Sequence, residues 1–250
     1  FIAYPYNRED IKYNNINAKN KQDNNSMASI SIICGERKMN DRKCAFIICS
    51  NDDFYYEESV AYIRHLNVPA NYEVEVLKIE NAVSMAAGYN EGMLKTDAKY
   101  KIYMHHDVYI YNRDFIRDII EIFEADKTIG LLGVVGGSDL PKNATIWDSW
   151  NLGGTYGTDN YRVQKINFYQ NPEIPVMEAD AIDGMLMVTQ YDLPWREDIF
   201  DGWDFYDISQ SMEFRRKGYK VVIPYQTDYW CMHDCGHSKL INYDKYREKF

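Results

Sequence analysis

Apolar positions along the first half of this chain fall into two alternating rhythms. CAFIICS (44–50) is a short unbroken apolar run, the pattern of a strand covered on both faces. It stops at SNDD, and FYYEESVAYIRHL (54–66) then places its apolar residues at helical spacing. YEVEVLKI (72–79) alternates as a strand does, and Asn81 or Ser84 can cap a helix running from about Val83 to Lys95. YKIYM (100–104) predicts the next strand, NRDFIRDIIEIFEAD (112–126) an amphipathic helix, and IGLLGVVG (129–136) another buried strand. This β-α-β-α-β-α-β rhythm predicts an α/β fold built on a mainly parallel, doubly wound sheet.

The rhythm weakens between 137 and 175 into Gly, Asn, Trp and Tyr, which predicts a hairpin or a loop region that shapes a substrate site. It returns with DGMLMVT (183–189), a helix over DFYDISQSMEFRRKG (204–218), the strand YKVVIP (219–224), DYWCMH (228–233) and a short terminal helix. Residues 1–28 are Asn- and Lys-rich and cannot bury much surface, while SISIIC (29–34) predicts an edge strand. The chain is therefore divided into a polar extension, 1–42, and one domain, 43–250, with halves 43–136 and 137–250.

Composition narrows the class. With 250 residues, 46% hydrophobic and 15% aromatic, the chain can bury a sizeable core. A net charge of −10 excludes a nucleic-acid backbone as partner and means that a phosphorylated ligand needs a local device, a metal ion or a helix N-terminus, to offset repulsion. Five unevenly spaced cysteines argue against a disulfide scaffold. No apolar run approaches the roughly 20 residues of a membrane span, and no signal-peptide pattern is present, although the chain opens on Phe1. A cytoplasmic setting is expected. Peripheral contact at the inner face of a membrane and homo-oligomer formation both stay open.

Four stretches are candidates for chemistry. KYKIYMHHDVYIY (99–111) delivers His105, His106 and Asp107 to the carboxyl end of a strand, where open parallel sheets hold their ligands. His nitrogen and Asp oxygen suit a divalent cation, and the alternative is an ordinary polar loop. SNDD places Ser50, Asn51 and Asp52 after the first strand as nucleoside contacts, the alternative being that Ser50 or Asn51 merely caps the helix that follows. Asp204 and Asp207 share one face at a helix start, as a general base or as plain capping. In WCMHDCGHS (230–238), Cys231, His233, Cys235 and His237 repeat with period two. An extended segment would spread them over roughly 20 Å, so a single histidine joining a site built by others fits better than structural zinc. No G-x-G-x-x-G or P-loop pattern occurs, which counts against dinucleotide oxidoreductases and P-loop kinases.

NAVSMAAGYNEGMLKTDAKYKIYMHHDV (81–108) resembles the core of family 2 glycosyltransferases of the GT-A fold, in which Asn leads a helix ending in Ala-x-Asn-x-Gly and the next strand ends in Asp-x-Asp. Asn81, Asn90, Gly92 and Asp107 fall on those positions, with Gly88 in place of Ala and His105 in place of the first Asp. DGMLMVTQYDLPWREDIFDGWDFYDISQSMEFRRKGYKVVIP is similar to the family's acceptor-side region. Asp204 and Asp207 stand at the outer acidic positions of its Glu-Asp motif, and Phe205 stands where a central Asp is common. HDCGHS matches its late His, and the resemblance, that of a divergent branch, covers roughly 43–240.

The resemblance implies a GT-A-type α/β fold with a single Rossmann-like, mainly parallel mixed sheet between helices and a nucleotide site at the strand carboxyl ends. It implies an inverting, hexosyltransferase-type enzyme using a nucleoside-diphosphate sugar, UDP-linked by preference, and a glycan, lipid or protein acceptor. Asp107, His105 and His233 would hold Mn²⁺ or Mg²⁺. Ser50, Asn51, Asp52, Asn81 and Asn90 would serve the nucleotide, and Asp183, Gly184 and Trp203 the donor or acceptor sugar. Asp204 would be the base, with Asp207 as the other choice. Two other readings remain: a catalytically inactive sugar-nucleotide-binding module of a larger glycosylation protein, and a nucleotidyltransferase. The acidic SNDDFYYEES speaks against the latter.

Overall fold

The computed structural model describes residues 37–142, 144–159, 162–236 and 242–250. The expected edge strand at 29–34, together with His237 and Ser238, lies outside them. Strand β1 (Asn40–Cys49) begins three residues before the anticipated boundary at Lys43. Its polar start is pinned there: Asn40 N–H donates to Asp97 O at 2.7 Å, and Lys43 Nζ sits 3.0 Å from Glu75 and 2.9 Å from Asp97. Beyond this start Cys44 to Ile48 are fully buried, each large aliphatic or aromatic side chain contributing about 1.5–3 kcal/mol of transfer free energy.

Helix α1 (Asp53–Arg64) is capped not by Ser50 or Asn51 but by the Asp52 carboxylate, which accepts from Phe54 N and Tyr55 N. Strand β2 (Glu73–Ile79) follows, and then helix α2 (Met85–Lys95), for which Ser84, not Asn81, is the cap. Gly92 lets α2 lie against β1, because a Cβ there would meet Ile47 Cγ2 at 2.3 Å. Next come β3 (Ala98–His105), β4 (Val108–Ile110) and helix α3 (Phe115–Ala125), whose Phe115, Ile116, Ile119 and Phe123 face the core at helical spacing. The run 129–136 splits into β5 (Ile129–Gly133) and β6 (Val135–Gly137).

The second half supplies the short helix α4 (Ile146–Ser149), β7 (Leu152–Asp159), β8 (Arg162–Asn167), β9 (Val176–Glu178), β10 (Ala181–Ile182) and β11 (Leu186–Thr189). Helix α5 (Tyr206–Arg216), β12 (Lys220–Pro224), β13 (Cys231–His233) and helix α6 (Tyr243–Arg247) complete it. The weakly patterned region 137–175 thus contains the paired strands β7 and β8.

The main sheet has seven strands in the order β2, β1, β3, β11, β5, β12, β9. β1 runs parallel to both β2 and β3, and β5 parallel to β12, while β11 and β9 are antiparallel to their neighbours. This is the mixed α/β arrangement of the GT-A type. Because β11 from the second half lies between β3 and β5 of the first, the halves share one sheet. A second sheet orders β10, β6, β7, β13 and β4, with β8 on β7. No helix among the described residues is long and apolar enough to cross a membrane.

Candidate active site

β1 and β3 end level, Cys49 opposite His105, so the SNDD loop and the HHD segment open onto one sheet edge. Past His105 the chain turns and re-enters pairing as β4, antiparallel to β13 with Val108 opposite His233. Asp234 N–H donates to Asp107 O at 2.8 Å, and Thr158 Oγ1 donates to the Asp234 carboxylate at 2.9 Å. That pairing brings His233 beside Asp107 from far along the sequence.

His105 Nδ1, His233 Nε2 and Asp107 Oδ1 form a triangle with sides of 3.3, 3.4 and 4.0 Å. The 3.4 Å side is too long for a good hydrogen bond, and Asp107 Oδ1 is buried without a hydrogen-bond donor. An unsatisfied carboxylate oxygen facing two imidazole nitrogens is a costly arrangement for protein alone. It is the arrangement that a cation relieves, since ligands about 2.0–2.2 Å from one ion lie roughly 3–3.5 Å apart. Burial opposes ionisation of Asp107, but attraction from His233 and His105 outweighs it and holds the carboxyl well below its usual range. Burial and the neighbouring His233 push His105 down to about 4, leaving it neutral and ready to be a ligand. Burial also disfavours the charged form of His233, yet Asp107 overcomes this and raises its pKa. The residues present fit a divalent cation.

His105 is held from behind by Tyr206, whose hydroxyl meets His105 Nε2. Tyr206 is buried at the first turn of α5, and Gly184 makes room for it: a Cβ on Gly184 would lie 2.2 Å from the Tyr206 hydroxyl. The residue before it, Phe205, adopts the left-handed conformation (φ 64°), strained for a bulky side chain. Packing of its ring on Phe200, Tyr243 and Phe250 holds it there. Phe205 is therefore an anchor, and the kink it makes sends Asp204 and Asp207 into different surroundings.

Asp207 accepts from Gly184 N–H at 3.0 Å and from its own helix at Ile208 N–H, 2.8 Å. Burial, reinforced by the charge of Asp183, pushes its pKa up to about 7. Asp183 accepts from Met185 N–H at 2.8 Å, and burial raises its pKa too, against the pull of His233. Asp204 is half-buried and has no hydrogen-bond partner among the described residues; burial alone raises its pKa. Of the two candidate bases, only Asp204 has a carboxylate that is not already engaged.

A cleft of about 270 Å³ adjoins the triangle, lined by Ser50, Asn51, His105, His106, Asp107 and Trp203 over an apolar floor of Ile79, Ala82 and Met85. Ser50, Asn51 and Trp203 thus line one cleft. Asn51 Oδ1 accepts from Asn81 N–H at 2.8 Å, joining the loops after β1 and β2, and Asn81 takes a left-handed turn there (φ 57°). The Asp52 carboxylate serves the helix cap. Asn90 is not brought to the cleft. It is buried, and both ends of its amide are taken by the Trp195 backbone at 3.0 and 2.9 Å, so it ties α2 to the loop after β11. Tyr206 and His106 are the functional candidates that the residue pattern did not assign. The signal for Tyr206 was its place between the two acidic residues.

Residues 45–250 match a family described as glycosyltransferase-like. The chain belongs to that glycosyltransferase-like family. No curated protein matches it. Among solved structures, the mannosyltransferase PcManGT of Pyrobaculum calidifontis, in complex with GDP-Man and Mn²⁺, aligns with 83% of this chain and 63% of its own (11% identity, TM-score 0.48). S. aureus TarS 1–349 aligns with 77% of this chain and 60% of its own (9% identity, TM-score 0.49). GalNAc-T7, with UDP, GalNAc and Mn²⁺, aligns with 82% and 45% (11% identity, TM-score 0.47). This glycosyltransferase-like chain spans less than two thirds of the length of each.

Proposed function

We propose that this chain transfers a sugar from a nucleoside-diphosphate sugar to an acceptor hydroxyl on a glycan, lipid or protein, with inversion at the anomeric carbon. The observation that carries the reading is the donorless, buried Asp107 Oδ1 facing His105 Nδ1 and His233 Nε2 beside a cleft at the sheet edge. Asp107, His105 and His233 would hold a divalent cation, Mn²⁺ in preference to Mg²⁺. When bound it would supply positive charge against the departing diphosphate of a UDP- or GDP-type donor.

The rest of the reaction falls to the chain's own groups. The loops after β1 and β2 hold the nucleoside, Ser50, Asn51 and Asn81 among them. Asp204 takes the proton of the acceptor hydroxyl as its oxygen forms a bond to the anomeric carbon, and the bond from that carbon to the diphosphate breaks with its electron pair going to the leaving group. A half-buried carboxylate with a raised pKa suits that task. Asp183 and Gly184 line the sugar side, and Asp207 holds the Gly184 backbone in place. Residues 43–136 then form the donor half and 137–250 the acceptor half of one domain. Calorimetry with UDP, GDP, CDP and ADP, with and without Mn²⁺, tests this. Binding of at least one of them, tightened by Mn²⁺, is expected; no binding under either condition defeats it.

A further inference from the structure

We propose that a tyrosine-lined groove at the far end of strands β4 and β13 binds a neutral saccharide chain, holding a glycan at a second place away from the reacting sugar. The groove stands on its own geometry; the choice of a saccharide among neutral ligands rests on the transferase reading above.

Strands β4 and β13 join the two places. At one end of the pair Val108 lies opposite His233, a corner of the metal triangle. At the other end Tyr111 N–H and Asn112 N–H both donate to Trp230 O, at 2.8 and 3.1 Å. The step from His233 back to Trp230 spans roughly 10 Å at about 3.3 Å per residue. A cavity of about 640 Å³ opens there, more than twice the size of the cleft of about 270 Å³ beside the triangle.

Tyr111, Tyr225 and Tyr229 line this cavity. Tyr111 is 38% exposed, and the hydroxyls of Tyr225 and Tyr229 have no hydrogen-bond partner among the described residues. The rings continue beyond it. Tyr229 lies 5.2 Å from Tyr156, Tyr156 lies 5.9 Å from Tyr111, and Tyr111 lies 5.5 Å from Tyr62. Tyr111 and Tyr62 are also walls of a neighbouring cavity of about 590 Å³. Four tyrosines thus run unbroken from one hollow to the next. Their face of the second sheet is turned from the core: Met232 is the register partner of Tyr109 and Tyr156, while Val108, Ile110 and Cys231 on the other face are buried in the core. A pyranose ring can rest its C–H face on the electron-rich face of an aromatic ring and keep its hydroxyls free at the rim.

Charge excludes other ligand classes. The larger cavity is lined by Asp118, Glu121, Asp126 and Asp228 and by no Lys, Arg or His, so a phosphorylated or sulfated chain would be repelled. Nor do these carboxylates await a cation. Asp118 accepts from Asn112 Nδ2 at 2.7 Å and pairs with Arg117 at 2.8 Å, Asp126 pairs with Lys220 at 3.0 Å, and Asp228 accepts from the Tyr156 hydroxyl at 3.0 Å. A carboxylate has about four lone-pair sites, so each can still accept from a sugar hydroxyl. The ligand that fits is neutral, with apolar faces and many hydroxyls.

The test is calorimetry without nucleotide or metal. Maltohexaose, cellohexaose, mannohexaose and chitohexaose are the neutral probes, with hexagalacturonate as the anionic and hexalysine as the cationic one. At least one neutral probe is expected to bind, and the two charged probes are not. Tyr111→Ala and Tyr225→Ala should each weaken that binding at least about threefold, on the scale of one aromatic stacking contact. Binding of UDP or GDP with Mn²⁺ should stay within about twofold in both variants, which also reports that they are folded. Tyr225→Phe should keep most of the saccharide affinity, since the ring carries the contact. Binding by no neutral probe, preference for hexalysine, or saccharide binding indifferent to both alanine variants would overturn the inference and leave the transferase reading intact. Saccharide binding lost in Trp203→Ala but kept in Tyr225→Ala would place the sugar in the cleft and overturn it too. Tyrosine-dependent saccharide binding in a protein that binds no nucleotide would defeat the transferase reading and leave the groove standing.

Discussion

The Tyr206 hydroxyl meets His105 Nε2, and the opposite ring nitrogen, Nδ1, faces His233 Nε2 at 3.3 Å. One ring thus has its far side anchored in the core and its near side turned to the candidate metal position. A metal-ligating histidine depends on such a partner for ring orientation and tautomer. Nδ1 can bind a cation only when Nε2 carries the proton, which the Tyr206 oxygen then accepts. Tyr206→Phe should therefore weaken Mn²⁺ binding about 10–100-fold, the usual cost of losing such a partner. Electron paramagnetic resonance of free against bound Mn²⁺ reads this directly. An unchanged affinity in a folded variant would make Tyr206 mere packing.

Asp204 and Asp207 should separate cleanly on substitution. Asp204→Asn is expected to lower turnover about 10²–10⁴-fold, the worth of a general base, and to leave donor affinity within a few-fold. Asp207→Asn should retain most turnover, because an amide oxygen can still accept from Gly184 N–H. If Asp207→Asn is the dead variant and Asp204→Asn the active one, the base has been misassigned.

Asp207 also sets a pH dependence. Its carboxyl is raised to about 7 in the folded protein, mainly by burial and then by Asp183, against about 3.9 in an unfolded chain. A raised folded pKa favours the folded state fully below about pH 4, and that favour is lost as pH climbs towards about 7. Asp207→Asn removes the group. The melting temperature of the variant minus that of the parent should rise between about pH 4 and 7 and stay level above. A difference independent of pH would show that Asp207 ionises without penalty.

Much of this was legible from residue pattern because the signals were local. The apolar run ending at Cys49 and the helical spacing of Ile116, Ile119 and Phe123 each specify their own element. The placement of β11 was not legible. LMVT reads as a strand, but nothing within four residues says that it will lie antiparallel between β3 and β5. The break in IGLLGVVG at Val134 is set by which sheet each piece joins. In the site, Asp107, His105 and His233 could be named because few residue types bind metals. Tyr206 is one of 22 tyrosines, and only the fold shows which of them backs a histidine. Asn90 matched a motif position, yet Trp195, distant in sequence, decides what its amide does.

Away from the site, Lys101 and Asp192 form a buried ion pair at 2.7 Å, with Lys101 Nζ also donating to Ala98 O at 2.6 Å. Removing one charge strands the other in the core. Lys101→Met should cost about 3–5 kcal/mol in chemical denaturation, and Lys101→Met with Asp192→Leu should recover most of it. Equal losses in the single and double variants would mean that packing, not charge, dominates there.

The donor set itself predicts which ion works. Two imidazoles and one carboxylate carry less negative charge than the Asp-x-Asp of the resembling family, and imidazole suits transition metals better than Mg²⁺, which prefers oxygen. Mn²⁺ or Co²⁺ should therefore tighten nucleoside-diphosphate binding, and Mg²⁺ at the same concentration should do so at least about tenfold less. His105→Asp exchanges one imidazole for a carboxylate and should shift the preference back towards Mg²⁺. Calorimetric titration of UDP and GDP in each metal, on parent and variant, measures both effects. Full support by Mg²⁺ in the parent would show that Asp107 dominates the site and that His105 is not a ligand.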